Sequence, residues 1–296
     1  MHNLPAHALT CPSTVRVVQR PRLATAENDE SVRRRLPTCL RPPRSRSPRV
    51  FLSLLLGAAL LLVPMTARAE DDTWDTASNG YFDGDDNWTD GSAPTSGDTV
   101  EFGKAGTYDV WWDSVTGNQT TQSMSLTDGN VTFRISTGTY AWVITDDSTD
   151  ADVDVTGGTL TLGLAGYNGT LTLAIDDALT VDDGGAMNVR LGNGVACGGL
   201  AVVGDTGSGA LAIESGGSVS NTFGFVGYSS GGTGTVTIDG GTWTNSGGLS
   251  VGYYGNGTLD VTGSGEVSST GGYIGGYGSS SGTVTVDGGT WTNAGA

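Results

Sequence analysis

From Gly209 onward, apolar residues alternate with Thr, Ser, Asp or Ala in short runs separated by glycine pairs. A period of two predicts strands with one buried face. The runs also recur. Four units begin at Gly209, Gly234, Gly257 and Gly282, in steps of 25, 23 and 25 residues, and read GALAIESGGSVSN, GTVTIDGGTWTN, GTLDVTGSGEVSS and GTVTVDGGTWTN. Laid under one another they form three apolar columns: Leu211, Val236, Leu259, Val284; Ile213, Ile238, Val261, Val286; and Val219, Trp243, Val267, Trp291. A third short strand follows as FVGY, LSVGY or YIGGY. Three strands and three glycine-rich corners make one turn of a triangular coil.

Such a coil has no core alone, so it must stack on copies of itself in parallel register. The fold expected is therefore mainly β: a right-handed parallel β-helix (β-solenoid) of about 24-residue coils. The hand comes from the usual rule for parallel crossovers. A disordered Gly/Ser/Thr linker has no reason to keep Val, Ile and Leu in register. An antiparallel β-sandwich, the other architecture to weigh, does not repeat at a fixed period. The grammar persists more loosely over Asp152–Val189 and Gly198–Ser208. Residues 155–296 should make about six coils with a rise of about 28 Å in all.

The register implies that Ile238 is buried between Ile213 and Val261. Val284 should face inward while Thr283 and Thr285 face out. Asn221, Asn245 and Asn293 should stack at one corner with Ser269 in the fourth place, and every outer face should carry columns of Thr and Ser. Trp243 and Trp291 could stack on sugars outside or fill the interior; their alternation with Val219 and Val267 suits an interior of offset large and small residues. Before residue 130 the texture changes, with Trp74, Trp88, Trp111 and Trp112 beside Pro94. A solenoid's open end must be covered, so residues 70–130 are expected to form an aromatic N-terminal cap and residues 131–296 the β-helix repeats.

The chain ahead of this region is of another kind. Residues 1–69 hold 11 of the 14 Lys and Arg, both His, two of the three Cys and eight of the nine Pro. The Arg-rich stretch to Arg49, the apolar run Val50–Val63 and the small-x-small sequence Ala67–Ala69 read as an export signal over 50–69. That run of 14 residues falls short of the ~20 needed to cross a bilayer. The mature protein is expected to begin at Glu70, and residues 1–49 to be an unstructured leader or the product of a start assigned too far upstream. The twin-arginine-like RRRL lies too far from the apolar run to direct it. The repeats break off in mid-unit at Ala296, so a longer reading frame is expected.

Beyond residue 69 stand three bases, Lys104, Arg134 and Arg190, against 28 acids, a net charge of −25. Such acidity argues against nucleic acid or an anionic membrane as partner. The exported part has no His, which removes Ser–His–Asp and Cys–His catalysis and every His-containing zinc site. Its single cysteine, Cys197, allows no internal disulfide and reads as a small buried apolar residue.

The repeat GTVTVDGGTWTN with GGLSVGYYGNG resembles the short repeat of autotransporter passenger regions and of bacterial proteins bearing PEP-CTERM sorting signals. The segment DDNWTDGSAPTSGDTVEFGKAGTYDV is similar to the tryptophan-and-proline opening found before such repeats. The resemblance covers most of residues 72–296 and implies export, a β-helical passenger and a surface or matrix role. It transfers no catalytic residue.

Candidate chemistry is sparse. The run Asp83–Gly91 has the acid density of a calcium loop, but Trp88 and Pro94 occupy the positions where an EF-hand needs Gly and Glu. Asp146–Asp154 is acidic without a pattern, so solvated acidic turns are the better reading of both. With 28 acids some pair will meet any glycosidase spacing, which makes the pair uninformative. A lyase needs a base beside an acidic cluster, and the three bases are scattered. The sequons at Asn87, Asn118, Asn130, Asn168 and Asn256 are what chance supplies in so Asn- and Thr-rich a chain. No catalytic residue, metal ligand or cofactor is assigned. The expected function is that of an exported non-enzymatic repeat protein, adhesin-like or a structural spacer. Its partners would be surface polysaccharide or another surface protein, and after signal cleavage it would not span a membrane. The alternative is a carbohydrate-active β-helix enzyme, a polysaccharide lyase or glycosidase.

Overall fold

The computed structural model describes residues 71–75, 77–145 and 152–295. The expected leader (1–49) and signal segment (50–69) lie outside the described residues, as do residues 146–151 of the acidic run. Three parallel sheets wind through the rest. Sheet 1 has nine strands, from Asp71–Thr73 to Gly271–Ile274; sheet 2 has nine, from Gly80–Tyr81 to Ser281–Asp287; sheet 3 has eight, from Gln119–Thr121 to Thr290–Asn293. Each turn visits sheets 1, 2 and 3 in order, giving a β-solenoid of nine turns. The first turn has a 3-10 turn, Asp85–Asn87, in place of a third strand. No helix among the described residues is long and apolar enough to cross a membrane.

The columns read from the repeats are the ladder itself. Gly209 pairs with Gly234, Gly234 with Gly257, and Gly257 with Gly282. Ile238 is fully buried, in register with Ile213 on one side and Val261 on the other. Val284 continues the column of Leu259, but in the ninth turn it is half-buried, as are Thr283 and Thr285 on either side of it. The reason is that a coil stacks against this turn on one side only, so inward pointing does not give full burial there.

The glycine column explains itself sterically. Gly204, Gly227, Gly252 and Gly275 turn the chain from sheet 1 to sheet 2 with φ of 74, 74, 75 and 69°, where an L side chain is strained. The Gly that opens each sheet-2 unit sits against this corner. A Cβ on Gly234, Gly257 or Gly282 would overlap the carbonyl of Val203, Val226 or Val251.

Within a turn, the interior is filled by complementary sizes. Trp243 of sheet 3 lies over Gly224 of sheet 1, and Trp291 over Gly272, so that a Cβ on either glycine would press into the indole. In the turn between them, Val267 occupies the indole position and Leu249 the glycine position. The expectation that Trp243 is core is met, since it is fully buried; Trp291, in the last turn, is partly buried.

The indoles of sheet 3 also find acceptors. Trp142 Nε1 donates to Thr121 Oγ1 at 2.9 Å, Trp243 Nε1 to Asn221 Oδ1 at 2.6 Å, and Trp291 Nε1 to Ser269 Oγ at 3.0 Å. In all three the acceptor lies one turn back and two positions further along sheet 3. The expected corner stack serves this purpose. Asn221 Nδ2 donates to Asn245 Oδ1 at 2.8 Å, and Asn221, Asn245 and Ser269 are buried, whereas Asn293 is exposed in the last turn.

Residue 130 is not where the coils begin. Thr107–Trp112 pairs along its length with Asn130–Ile135, and Asp71–Thr73 already pairs with Thr99–Phe102's strand. The aromatic segment is thus built into the first turns, with Trp74, Phe82, Phe102, Tyr108 and Trp112 inside. The part with a covering role is shorter. Trp88, after the 3-10 turn, meets Trp74 edge-on at 5.0 Å and Phe82 at 5.3 Å, closing the incomplete first turn.

Candidate functional site

The residues weighed for chemistry are committed to structure. In Asp83–Gly91, Asp83 accepts from the Thr116 hydroxyl at 2.7 Å, Asp85 from the Ala93 amide at 3.1 Å, and Asp90 from the Ser92 amide at 3.0 Å. The bonds from Ser92 hold the Asp90 carboxyl below its usual range. These acids fold loops. Among the described residues, no three His, Cys, Asp or Glu converge to hold a metal ion. Cys197 is buried, with its sulfur 3.1 Å from the carbonyls of Asp177 and Leu200, and burial pushes the thiol up to about 11, so it stays protonated. Asn87 donates to the Tyr81 carbonyl, Asn118 accepts from the Ala141 amide and Asn256 accepts from the Ser281 hydroxyl. Asn130 and Asn168 are exposed.

The three bases each face an acid. Arg134 meets Asp109 at 2.7 Å and lies over the Tyr167 ring at 5.5 Å; Arg190 meets Glu214 at 3.6 Å and donates to the Gly163 carbonyl; Lys104 meets Asp75 at 3.8 Å.

The three outer faces differ, against the expectation of Thr and Ser on each. Sheets 2 and 3 do carry such columns: Thr235, Thr258 and Thr283 on one, Thr244, Ser268 and Thr292 on the other. Sheet 1 does not. Its outward positions in the last turns are Phe223 and Phe225, then Gly248 and Ser250, then Gly271 and Tyr273. The phase is forced. Gly224 and Val226 must point in, one beneath Trp243 and the other into the core, so Phe223 and Phe225, which alternate with them, point out.

Two columns of tyrosine flank this face at the corner glycines. Tyr228 and Tyr253 lie in adjacent turns with ring centroids 5.6 Å apart and planes within 8°; Tyr254 and Tyr277 stack at 5.2 Å. Phe225 meets Tyr253 at 5.3 Å and Tyr277 meets Tyr253 at 5.1 Å, so the rings form one connected wall. Burial among these rings pushes the Tyr253 phenol up, and the neighbouring Tyr277, Tyr254 and Tyr228 add to the effect. Between the wall, the phenylalanines and Tyr273 runs an open groove of about 580 Å³ floored by Gly248 and Ser250. Phe223 of the seventh turn is 46% exposed; Tyr273 and Tyr277, at 63% and 54%, lie in the ninth turn, which has a stacked coil on one side only. The repeated Gly-Tyr endings were visible in the sequence. Their outward direction follows only once Gly224 is seen beneath Trp243. Comparisons with protein-family models, with curated proteins and with solved structures find no match for this chain.

Proposed function

We propose that the chain is an exported, non-enzymatic repeat protein of a bacterial surface or extracellular matrix, in which the solenoid serves as a spacer and its faces as weak, repeated contacts. The observation that carries this reading is that one coil design recurs through the last turns, so that columns such as Thr235, Thr258 and Thr283 repeat from turn to turn. Repeated identical contacts favour multivalent attachment over tight capture of one small molecule. Engagement of all three exported bases in ion pairs supports it too, since a lyase needs a free one beside the scissile bond. Export rests on the signal-like segment before Glu70 and on the resemblance to passenger and PEP-CTERM-associated repeats.

Two experiments test it. N-terminal sequencing of secreted material should return a chain starting at Glu70; a mature protein that keeps the Arg-rich segment overturns export. Incubation with acidic and neutral polysaccharides, with and without calcium, should release no reducing ends or unsaturated products. Turnover abolished by one Asp or Glu substitution would establish the carbohydrate-active enzyme instead.

A further inference from the structure

We infer that the groove on sheet 1 is a binding site for a neutral polysaccharide chain, held by stacking on Phe223, Phe225, Tyr253, Tyr273 and Tyr277. This deepens the surface-protein reading by naming the ligand of its adhesive face, and it rests on that reading.

Charge is the first argument. The groove is lined by aromatic, glycine, serine and isoleucine side chains, with no carboxylate or base among them. It is an uncharged strip on a region whose net charge is −25. A polyanion would find no cation there and would be repelled by the rest of the surface. A second copy of the chain would bring the same negative field to the contact. An uncharged ligand meets neither obstacle.

Backbone chemistry is the second. The floor lies within sheet 1, where Gly248–Val251 pairs with Phe223–Val226 on one side and Gly271–Ile274 on the other. The amides and carbonyls of that floor strand are spent in those ladders, so a peptide lying over it gains no strand pairing. Recognition falls to side chains. Those available are flat rings, of which the tyrosines carry phenol hydroxyls able both to donate and to accept. Sugar hydroxyls have the same dual character, and pyranose rings present C–H faces that lie flat on an aromatic ring. A proline-rich peptide also docks on aromatic grooves. It offers carbonyl acceptors and few donors, and would leave the acceptor side of those hydroxyls unpaired.

Room is the third. Gly248 has ordinary backbone geometry, and a Cβ there would lie 3.6 Å from the Gly271 carbonyl and 3.9 Å from the Phe223 ring. A side chain is sterically allowed at this position. With glycine the floor stays open.

The test uses the full chain and calorimetric titration with cellohexaose, laminarihexaose, xylohexaose and mannohexaose, with oligogalacturonate and a proline decamer as controls. At least one neutral hexasaccharide should bind, and the two controls should not. Tyr273→Ala and Gly248→Val should each weaken binding at least tenfold with the circular-dichroism melt unchanged, and Thr244→Ala on sheet 3 should have no effect. Binding of none of the four neutral probes overturns the proposal. So does stronger binding of the proline decamer, or sedimentation showing that Phe223 and Tyr273 mediate a dimer. If Gly248→Val perturbs the fold, the paired loss in Tyr273→Ala and Phe223→Ala decides. The two readings fail separately. A chain that is secreted and inert but binds no glycan keeps the spacer and loses the groove; one that binds at the groove and also releases reducing ends keeps the groove and loses the non-enzymatic reading.

Discussion

The first three turns and the last three are both rich in aromatic rings, and they put them on opposite sides of the same sheets. In the first, Trp74, Phe82, Phe102, Tyr108, Trp112, Phe133 and Trp142 are fully buried in one continuous cluster. In the last, Phe223, Tyr254, Tyr273 and Tyr277 are exposed, and the interior holds Val, Leu and Ile with one tryptophan in every second turn. The spacing changes accordingly. Sheet-1 strands begin 28, 24 and 30 residues apart over the first steps from Asp71, and 22 to 25 apart from Ala178 onward. An interior crowded with rings takes its shape from those rings, and the loops adjust in length. An interior of aliphatic columns fixes the coil length and leaves aromatic residues free for the outside.

The comparison breaks most visibly if an inner and an outer ring prove equally important. Trp142→Ala should cost roughly 3–5 kcal/mol of stability, measured by urea unfolding, while Tyr273→Ala should change it by no more than about 0.5. Equal losses would mean that the outer rings hold the fold. The same contrast can be drawn within one strand. Ile238→Asp buries an unpaired charge and should cost several kcal/mol, against roughly 0.5 for Thr237→Asp; similar melting temperatures for the two would overturn the register.

The pairing of indole with glycine is tested by exchange. Gly224→Leu should destabilise by roughly 1–3 kcal/mol through overpacking against Asn245 and Trp243. Adding Trp243→Val in an Asn245→Ser background reproduces the Val267, Leu249 and Ser269 arrangement of the neighbouring turn and should restore much of the loss. A double-mutant cycle showing no coupling would dissociate the two positions.

An effect of similar size is confined to alkaline pH. Burial pushes the Tyr108 phenol up to about 12, from about 10 for a free tyrosine. The folded state thus favours the protonated phenol. The contribution is complete below pH 10 and is lost as pH rises through 12, roughly 2–3 kcal/mol at most. Tyr108→Phe should flatten the fall in stability between those two pH values, measured by urea unfolding at each.

How much of this was legible follows from the same contrast. Leu211, Ile238 and Val267 announced their columns because parallel stacking puts every copy in the same place, and a repeat is then a register. The corner stack of Asn221, Asn245 and Ser269 could be read for the same reason. The early coils could not be aligned, because Trp74, Trp112 and Trp142 fill space without recurring at a fixed step. The binding face stayed hidden for a different reason. Whether Phe223 points out depends on which neighbour must make way for Trp243, a contact across the coil that no alternation along one strand records.

The glycine beneath each indole bears on how such an array can grow. A coil with tryptophan has given up volume on its own opposite wall, and a coil with leucine there has no room for an indole, so each kind is complete within one turn. Like can also lie against like, as Val195 does beside Val219 in adjacent turns. Duplicating one coil therefore carries its own size match with it, making the single coil the heritable unit of this protein's reach.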